Sequence, residues 1–307
     1  MGTVYLERLE YPKRVHSYMS CVLVTAKYLG CAESESWLYG ASGIAFFSHL
    51  HPGGVCESCV TDWDVGPCIR LTRNAGIAQE GVRGPDGSVP QAVKESLSQG
   101  IPLSAWGEDD CEEVLLCGYA ETPQGDTFTY LSPSEAEGSH PWSGHFGPAT
   151  EFSLIPPADD RTTVKMALQC AVEMNRDPNE FIGDSDAVMG HEAFRAAAEW
   201  LDKKEILGRD LGFNLQAWEE DRRHASSFLD EASSRLEDKR LTEPLSEAAG
   251  HFRTVHGELK AIVDTFGDSI DTMPEGMHEE YAGHLYEACE AERKAIASVE
   301  AVLKLMD

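Results

Sequence analysis

The stretch Val15 to Gly30, VHSYMSCVLVTAKYLG, constrains the chain more than any other. From Tyr18 onward its spacing is helical, with Met19, Val22, Leu23, Ala26 and Leu29 recurring on a 3.6-residue period. Ser17 is a residue type that caps a helix start, and Gly30 supplies the left-handed residue that ends one. Apolar residues cover most of the circumference, so this helix is expected to be surrounded by other elements rather than laid on a surface. Enclosing it takes a sizeable core. The 307 residues, 42% of them hydrophobic, are enough for one large domain or two ordinary ones. Ser17 and Cys21, four residues apart, share one face of the helix. The positive end of a helix favours a thiolate, so a nucleophile belongs at such a position.

Charge narrows the class of ligand. The formal charge is −28, from 53 acidic against 25 basic side chains. No cluster of Lys and Arg is present to neutralise phosphates, which argues against nucleic acid. An acidic surface favours cationic small molecules or partners, and it equally describes a highly solvated exterior. The longest apolar runs fall far short of a membrane span, and Met1 to Arg14 is too polar for a secretory leader. Nine dispersed cysteines do not read as a disulfide scaffold, so a reducing cytoplasm is the expected compartment.

The rest of the chain divides in two. Val4-Tyr5-Leu6 suggests a short strand ahead of the helix. Ser34 is placed to cap a second helix, and the small residues of Ala41-Ser42-Gly43 suggest close backbone approach to another element or a ligand. HLHPGGVCESC, from His49 to Cys59, carries a Cys-x-x-Cys beside two histidines, but no second pair follows at zinc-site spacing. A further helix is expected over Pro90 to Gln99. Glu113 to Tyr119 reads as a buried strand and Thr127 to Leu131 as an alternating one. The turn chemistry of Pro123-Gln124-Gly125-Asp126 joins these two into a hairpin. Phe152 to Ile155 is the last expected strand, and Pro156-Pro157 closes the region. Beyond it, helices are expected near 160–176, 189–204, 213–238, 243–267 and 276–306. Glu220/His224, Glu247/His251 and Glu280/His284 are each spaced to share a helix face. Carboxylate-bridged metal bundles use a different spacing, so solvated pairs are expected and neither metal nor cofactor is called for.

Several features together resemble the N-terminal domain family of butirosin biosynthesis protein H, which is related to papain-like bacteriocin-processing peptidases. His16 and Cys21 open a helix that ends Tyr28-Leu29-Gly30, LYGASGIAF follows at Leu38 to Phe46, and a strand ends Gly118-Tyr119. The helical half resembles the C-terminal part of prokaryotic proteins with the same two-part layout, through Trp218 to Arg223 and Glu247 to Phe252. The resemblance implies an α+β fold: a papain-like cysteine-peptidase-type domain with a small antiparallel sheet over 1–157, then an all-helical bundle over 158–307.

The resemblance also implies acyl or aminoacyl transfer from a carrier thioester to an amine-bearing small molecule, with an acyl carrier protein as a further partner. Laid on this sequence, the family's Cys, His and Asp positions fall on Ser17, Glu112 and Ser132. Two readings stay open. In one, Cys21 serves as nucleophile from one turn further in, with His16 or His145 as base and Glu112 as a base or an ammonium ligand. In the other, the chain is a catalytically silent small-molecule-binding module, and Cys21 is a buried small hydrophobe. Ser42, Gly43, Tyr119 and Ser132 are the candidate ligand-binding residues in either case.

Overall fold

The computed structural model describes residues 2–12, 14–51, 66–84, 88–107, 112–133, 137–142, 145–177, 181, 187–203, 208–266 and 276–307. In chain order the elements begin β1 (Thr3–Tyr5), α1 (Ser17–Leu29), α2 (Glu35–Ser42), β2 (His49–Leu50) and α3 (Gly66–Leu71). They continue with β3 (Ile77–Gly81), α4 (Val89–Ser98), β4 (Leu103–Gly107), β5 (Glu112–Thr122), β6 (Gly125–Leu131), β7 (Gly138–Pro141) and β8 (Phe146–Leu154). The last are α5 (Asp160–Arg176), β9 (Val188–Met189), α6 (His191–Lys203), α7 (Gly208–Arg235), α8 (Lys239–Val263) and α9 (His278–Met306). The protein is thus mixed α+β, with an antiparallel sheet and a helical C-terminal part. The Cys-x-x-Cys at Cys56 and Cys59 lies outside the described residues.

The chain forms two compact units, Met1–Ala32 with Gly76–Pro157, and Glu33–Ala75 with Ala158–Asp307. The sequence alone suggests one cut at 157, whereas residues 33–75 group with the helices. The reason is aromatic packing within the second unit. Trp37 of α2 lies 5.1 Å from Phe228 of α7, and Phe46 lies 5.5 Å from Phe252 of α8.

In the first unit, the strands run β3-β8-β4-β5-β6-β7, all antiparallel, and β1 joins along the C-terminal half of β5. β5 and β6 make the hairpin that the turn residues require, with Gly125 in a positive-φ conformation. Val93 and Leu97 of α4 pack on Leu103, Ala105, Val114 and Leu116. Strand alternation turns Ser104, Trp106, Glu113 and Leu115 to the opposite face, where α1 packs along β4, β5 and β8. This explains the all-round apolar character of α1, whose residues Met19 to Ala26 are all buried. Gly30 closes α1 at φ 91°, with its N–H donating to the carbonyls of Ala26 and Lys27. At the other end the cap residue is His16, and Ser17 is the first residue inside the helix.

The second unit is built on α7, α8 and α9, with α5 and α6 beside them. Its core includes Leu215, Trp218, Leu259, Ile262, Leu285 and Ala288. Within that apolar interior, Arg222 and Glu292 form a bidentate ion pair with both side chains fully buried. The guanidinium also donates to the carbonyls of Ala45 and Phe47 and to Ser48 Oγ, which pins the turn after α2 to α7. α2 approaches α7 so closely that a Cβ on Gly40 would overlap the Phe228 ring. The small residues of this segment therefore serve helix packing.

Candidate functional site

The residues singled out at the start of α1 meet the beginning of β5. The backbone N–H of Glu113 donates to Ser17 Oγ at 2.9 Å, so Ser17 caps a strand amide rather than its own helix. Ser20 supplies the local helix-start contacts instead: its hydroxyl donates to Pro12 O at 2.7 Å and accepts from Arg14 N at 3.2 Å. One turn in, the Cys21 thiol is completely buried, 3.8 Å from the carbonyl of Glu113 and 3.9 Å from the Tyr11 hydroxyl. Tyr11 donates to the same carbonyl at 3.4 Å. The Ser17 hydroxyl and Cys21 thiol are therefore paired with backbone groups and a phenol, and among the described residues neither is paired with an imidazole.

Electrostatics around this cluster are set by two carboxylates. Glu113 is half-buried and bonds to Ser104 on the neighbouring strand, while its cross-strand partner is Trp106. Burial raises the Glu113 pKa from 4.5 to about 7, and the hydrogen bond to Ser104 offsets only part of that rise. Glu112 is half-buried, with one carboxylate oxygen shut off from water. The Cys21 thiol is pushed well above its ordinary value, first by its own burial and then by the charge of Glu113, with Glu112 adding least, against an opposing hydrogen bond from Tyr11. Tyr11 is likewise raised, by burial first and then by the nearby Cys21. A thiol in this setting keeps its proton at neutral pH. That is the environment of a packed cysteine, not an activated one.

His16 is half-buried at the cap of α1 and makes no side-chain cap bond. His145 stacks on His140 with ring centroids 4.4 Å apart, beside Tyr130 at the far edge of the sheet. Ser132 is buried just past the end of β6. Tyr119 belongs to the α4 side of the sheet: its hydroxyl is 3.0 Å from Ser98 Oγ, and the Lys94 ammonium sits 5.6 Å above its ring. Ser42 and Gly43 are in the second unit, where the Ser42 hydroxyl donates to Tyr39 O at 2.9 Å in the last turn of α2. Gly43 ends that helix at φ 84°, and a Cβ there would lie 2.8 Å from Cys170 Sγ. The structure thus brings together Ser17, Cys21 and the β5 carboxylates. It adds Tyr11, Ser104, Trp106 and Glu113, of which only Glu113 carried a signal, as an acidic residue opening an apolar strand.

The Glu/His spacing on the long helices resolves into bonds between neighbouring elements. His284 Nδ1 is 2.7 Å from Glu258 of α8, and His256 Nε2 is 2.7 Å from Glu219 of α7. His224 Nδ1 is 3.0 Å from Ser36 Oγ, and its ring stacks on Tyr39 at 4.0 Å. Among the described residues no three His, Cys, Asp or Glu side chains gather as a metal site, and no helix is long and apolar enough to cross a membrane. No protein-family model matches the chain, and no curated protein matches it either.

Proposed function

We propose that the first unit is a papain-like domain, similar to that of butirosin biosynthesis protein H, which binds an amine-bearing small molecule without covalent catalysis. The observation that carries this reading is the setting of Cys21: a fully buried thiol whose charged neighbours are the carboxylates of Glu113 and Glu112. Both carboxylates favour the protonated thiol, which is the opposite of what a nucleophile needs. The same groups suit a ligand ammonium. Glu113 is bonded to Ser104 and lies opposite Trp106 in the β4–β5 register, and a carboxylate beside an aromatic residue is a combination that attracts cations. A reducing, cytoplasmic setting accords with the free thiols of Cys21, Cys31, Cys68, Cys117, Cys170 and Cys289.

Calorimetric titration at pH 8 with a panel of small primary mono- and diamines tests the reading. Glu113→Gln and Glu112→Gln are each expected to weaken binding by roughly tenfold or more, the loss of a charge-assisted bond. Glu95→Gln, on the exposed side of α4, and Cys21→Ala are expected to leave it unchanged. Wild-type affinity in both β5 variants would overturn the amine site. An acyl thioester that leaves a mass adduct on the wild type, absent from Cys21→Ala, would overturn the silent module in favour of acyl transfer.

A further inference from the structure

The second unit holds a serine–histidine contact that the amine site does not use. Ser36, in the first turn of α2, is half-buried, and its hydroxyl lies 3.0 Å from Nδ1 of His224 on α7. The helical serines Ser98, Ser226, Ser227 and Ser234 instead donate to a carbonyl three or four residues back on their own helix. Ser36 has no helical turn behind it, and it meets a side chain of another helix. The imidazole is held in place: His224 is 2% exposed and stacks on Tyr39, one turn further along α2, at 4.0 Å and 12°. The start of α2 is held too. Ser34 Oγ accepts from Trp37 N at 3.0 Å and donates to Glu231 of α7 at 2.6 Å, while the Arg235 guanidinium lies 3.7 Å from the centre of the buried Trp37 ring.

We propose that Ser36 and His224 form a second site, a nucleophile and its general base, which takes small activated carboxylic esters. A partly accessible hydroxyl with a buried, oriented imidazole within hydrogen-bonding reach is the arrangement that a nucleophilic serine requires. The first turn of a helix also presents backbone N–H groups and the positive end of its dipole, which suit the oxyanion that forms on the acyl carbon. With the imidazole proton on Nε2, Nδ1 accepts from the hydroxyl. As Oγ attacks, its bond to the acyl carbon forms, the bond from that carbon to the leaving oxygen breaks, and the hydroxyl proton passes through Nδ1 to the leaving alcohol. Water then repeats the exchange. Its oxygen bonds to the acyl carbon, its proton passes through Nδ1 to Oγ, and a carboxylic acid departs, so the sum is ester and water to alcohol and acid. Because Ser36 is half-buried, the acyl group it accepts is a short one.

The test is incubation of the folded, full-length protein with a small fluorophosphonate, followed by digestion and mapping of the adduct by mass spectrometry. The phosphonyl group is expected on Ser36, where the Oγ–P bond forms as the P–F bond breaks and fluoride leaves with the hydroxyl proton. Ser36→Ala should abolish that adduct and slow p-nitrophenyl acetate hydrolysis by roughly 100-fold. Ser227→Ala, at an exposed serine one turn along α7 from His224, should change neither. In Ser36→Cys the new thiol should label with iodoacetamide at neutral pH faster than that of Ser227→Cys, a readout independent of whether Ser36→Ala folds well. The wild-type map needs no variant. An adduct on another residue only, or no adduct at all, overturns the proposal and leaves the contact as a tie between α2 and α7, as does equal labelling of the two Cys variants.

Discussion

Replacing Glu113 with Gln should change how stability depends on pH, and the size of the change follows from its surroundings. Its carboxyl moves from 4.5 to about 7 on folding, because burial disfavours the charged form. At 1.36 kcal/mol per pH unit, that displacement corresponds to about 3 kcal/mol. The sign follows from proton counting. Between 4.5 and 7 the folded chain holds the proton and the unfolded chain does not, so stability from this group is full below 4.5 and is lost as pH rises through 7. Gln keeps the shape and the acceptor for Ser104 but does not titrate. Urea denaturation of both proteins from pH 5.5 to 8.5 measures the difference. Relative to the variant, the wild type should lose about 2 kcal/mol across that range, the part of the total that remains above pH 5.5. Parallel curves would refute the burial argument and, with it, the raised pKa.

Gly40→Ala places a methyl inside the Phe228 ring, so α2 and α7 must separate; the overpacking should cost about 1–3 kcal/mol in urea denaturation. Glu292→Gln leaves the fully buried Arg222 without its counter-charge and should cost about 3–5 kcal/mol by the same measurement, whereas Arg222→Met with Glu292→Leu should cost less than either single change. Amine binding should strengthen as pH rises from 6 to 7 and level off above it, by up to roughly tenfold, since the ammonium needs Glu113 ionised; calorimetry in buffers of different ionisation enthalpy should show proton release at pH 6.

How much of this was legible depended on how local the cause is. The period of α1, its glycine stop, the β5–β6 hairpin and the long helices α5, α8 and α9 are set by residues within a few positions of one another. Ser34 was likewise readable as a cap, and it accepts from Trp37 N at 3.0 Å. Ser17 was not. Its hydroxyl is taken by a strand amide 96 residues away, while Ser20 ties the start of the helix to the preceding segment at Pro12 and Arg14. The histidines failed for the same reason. A four-residue spacing on one helix says nothing of the carboxylate a neighbouring helix presents, and Glu258 of α8 is bonded to His284 across such a gap. The small residues Ala41-Ser42-Gly43 suggested a close approach to an element or a ligand; Gly43 makes one to the Cys170 sulfur, a partner that no local pattern names.

The cluster at α1 also shows what Ser17 and Glu112 do in this chain, and Ser132 can be placed beside them. A nucleophile at position 17 would need a base beside it and a free backbone around it. Ser17 is instead a structural acceptor for β5, and Ser132 is buried beyond reach of water at the end of β6. Glu112 and Glu113 open the strand that α1 lies against, and their charge suppresses thiolate formation at Cys21 rather than promoting it. A Cys at 17 alone would therefore not make a reactive site. The new thiol would inherit the same two carboxylates, and Ser17→Cys with Glu112→His supplies a nucleophile and replaces one carboxylate with a base. Iodoacetamide labelling at neutral pH should stay slow in the single variant, and rapid labelling there would show that the carboxylates do not govern this end of the helix.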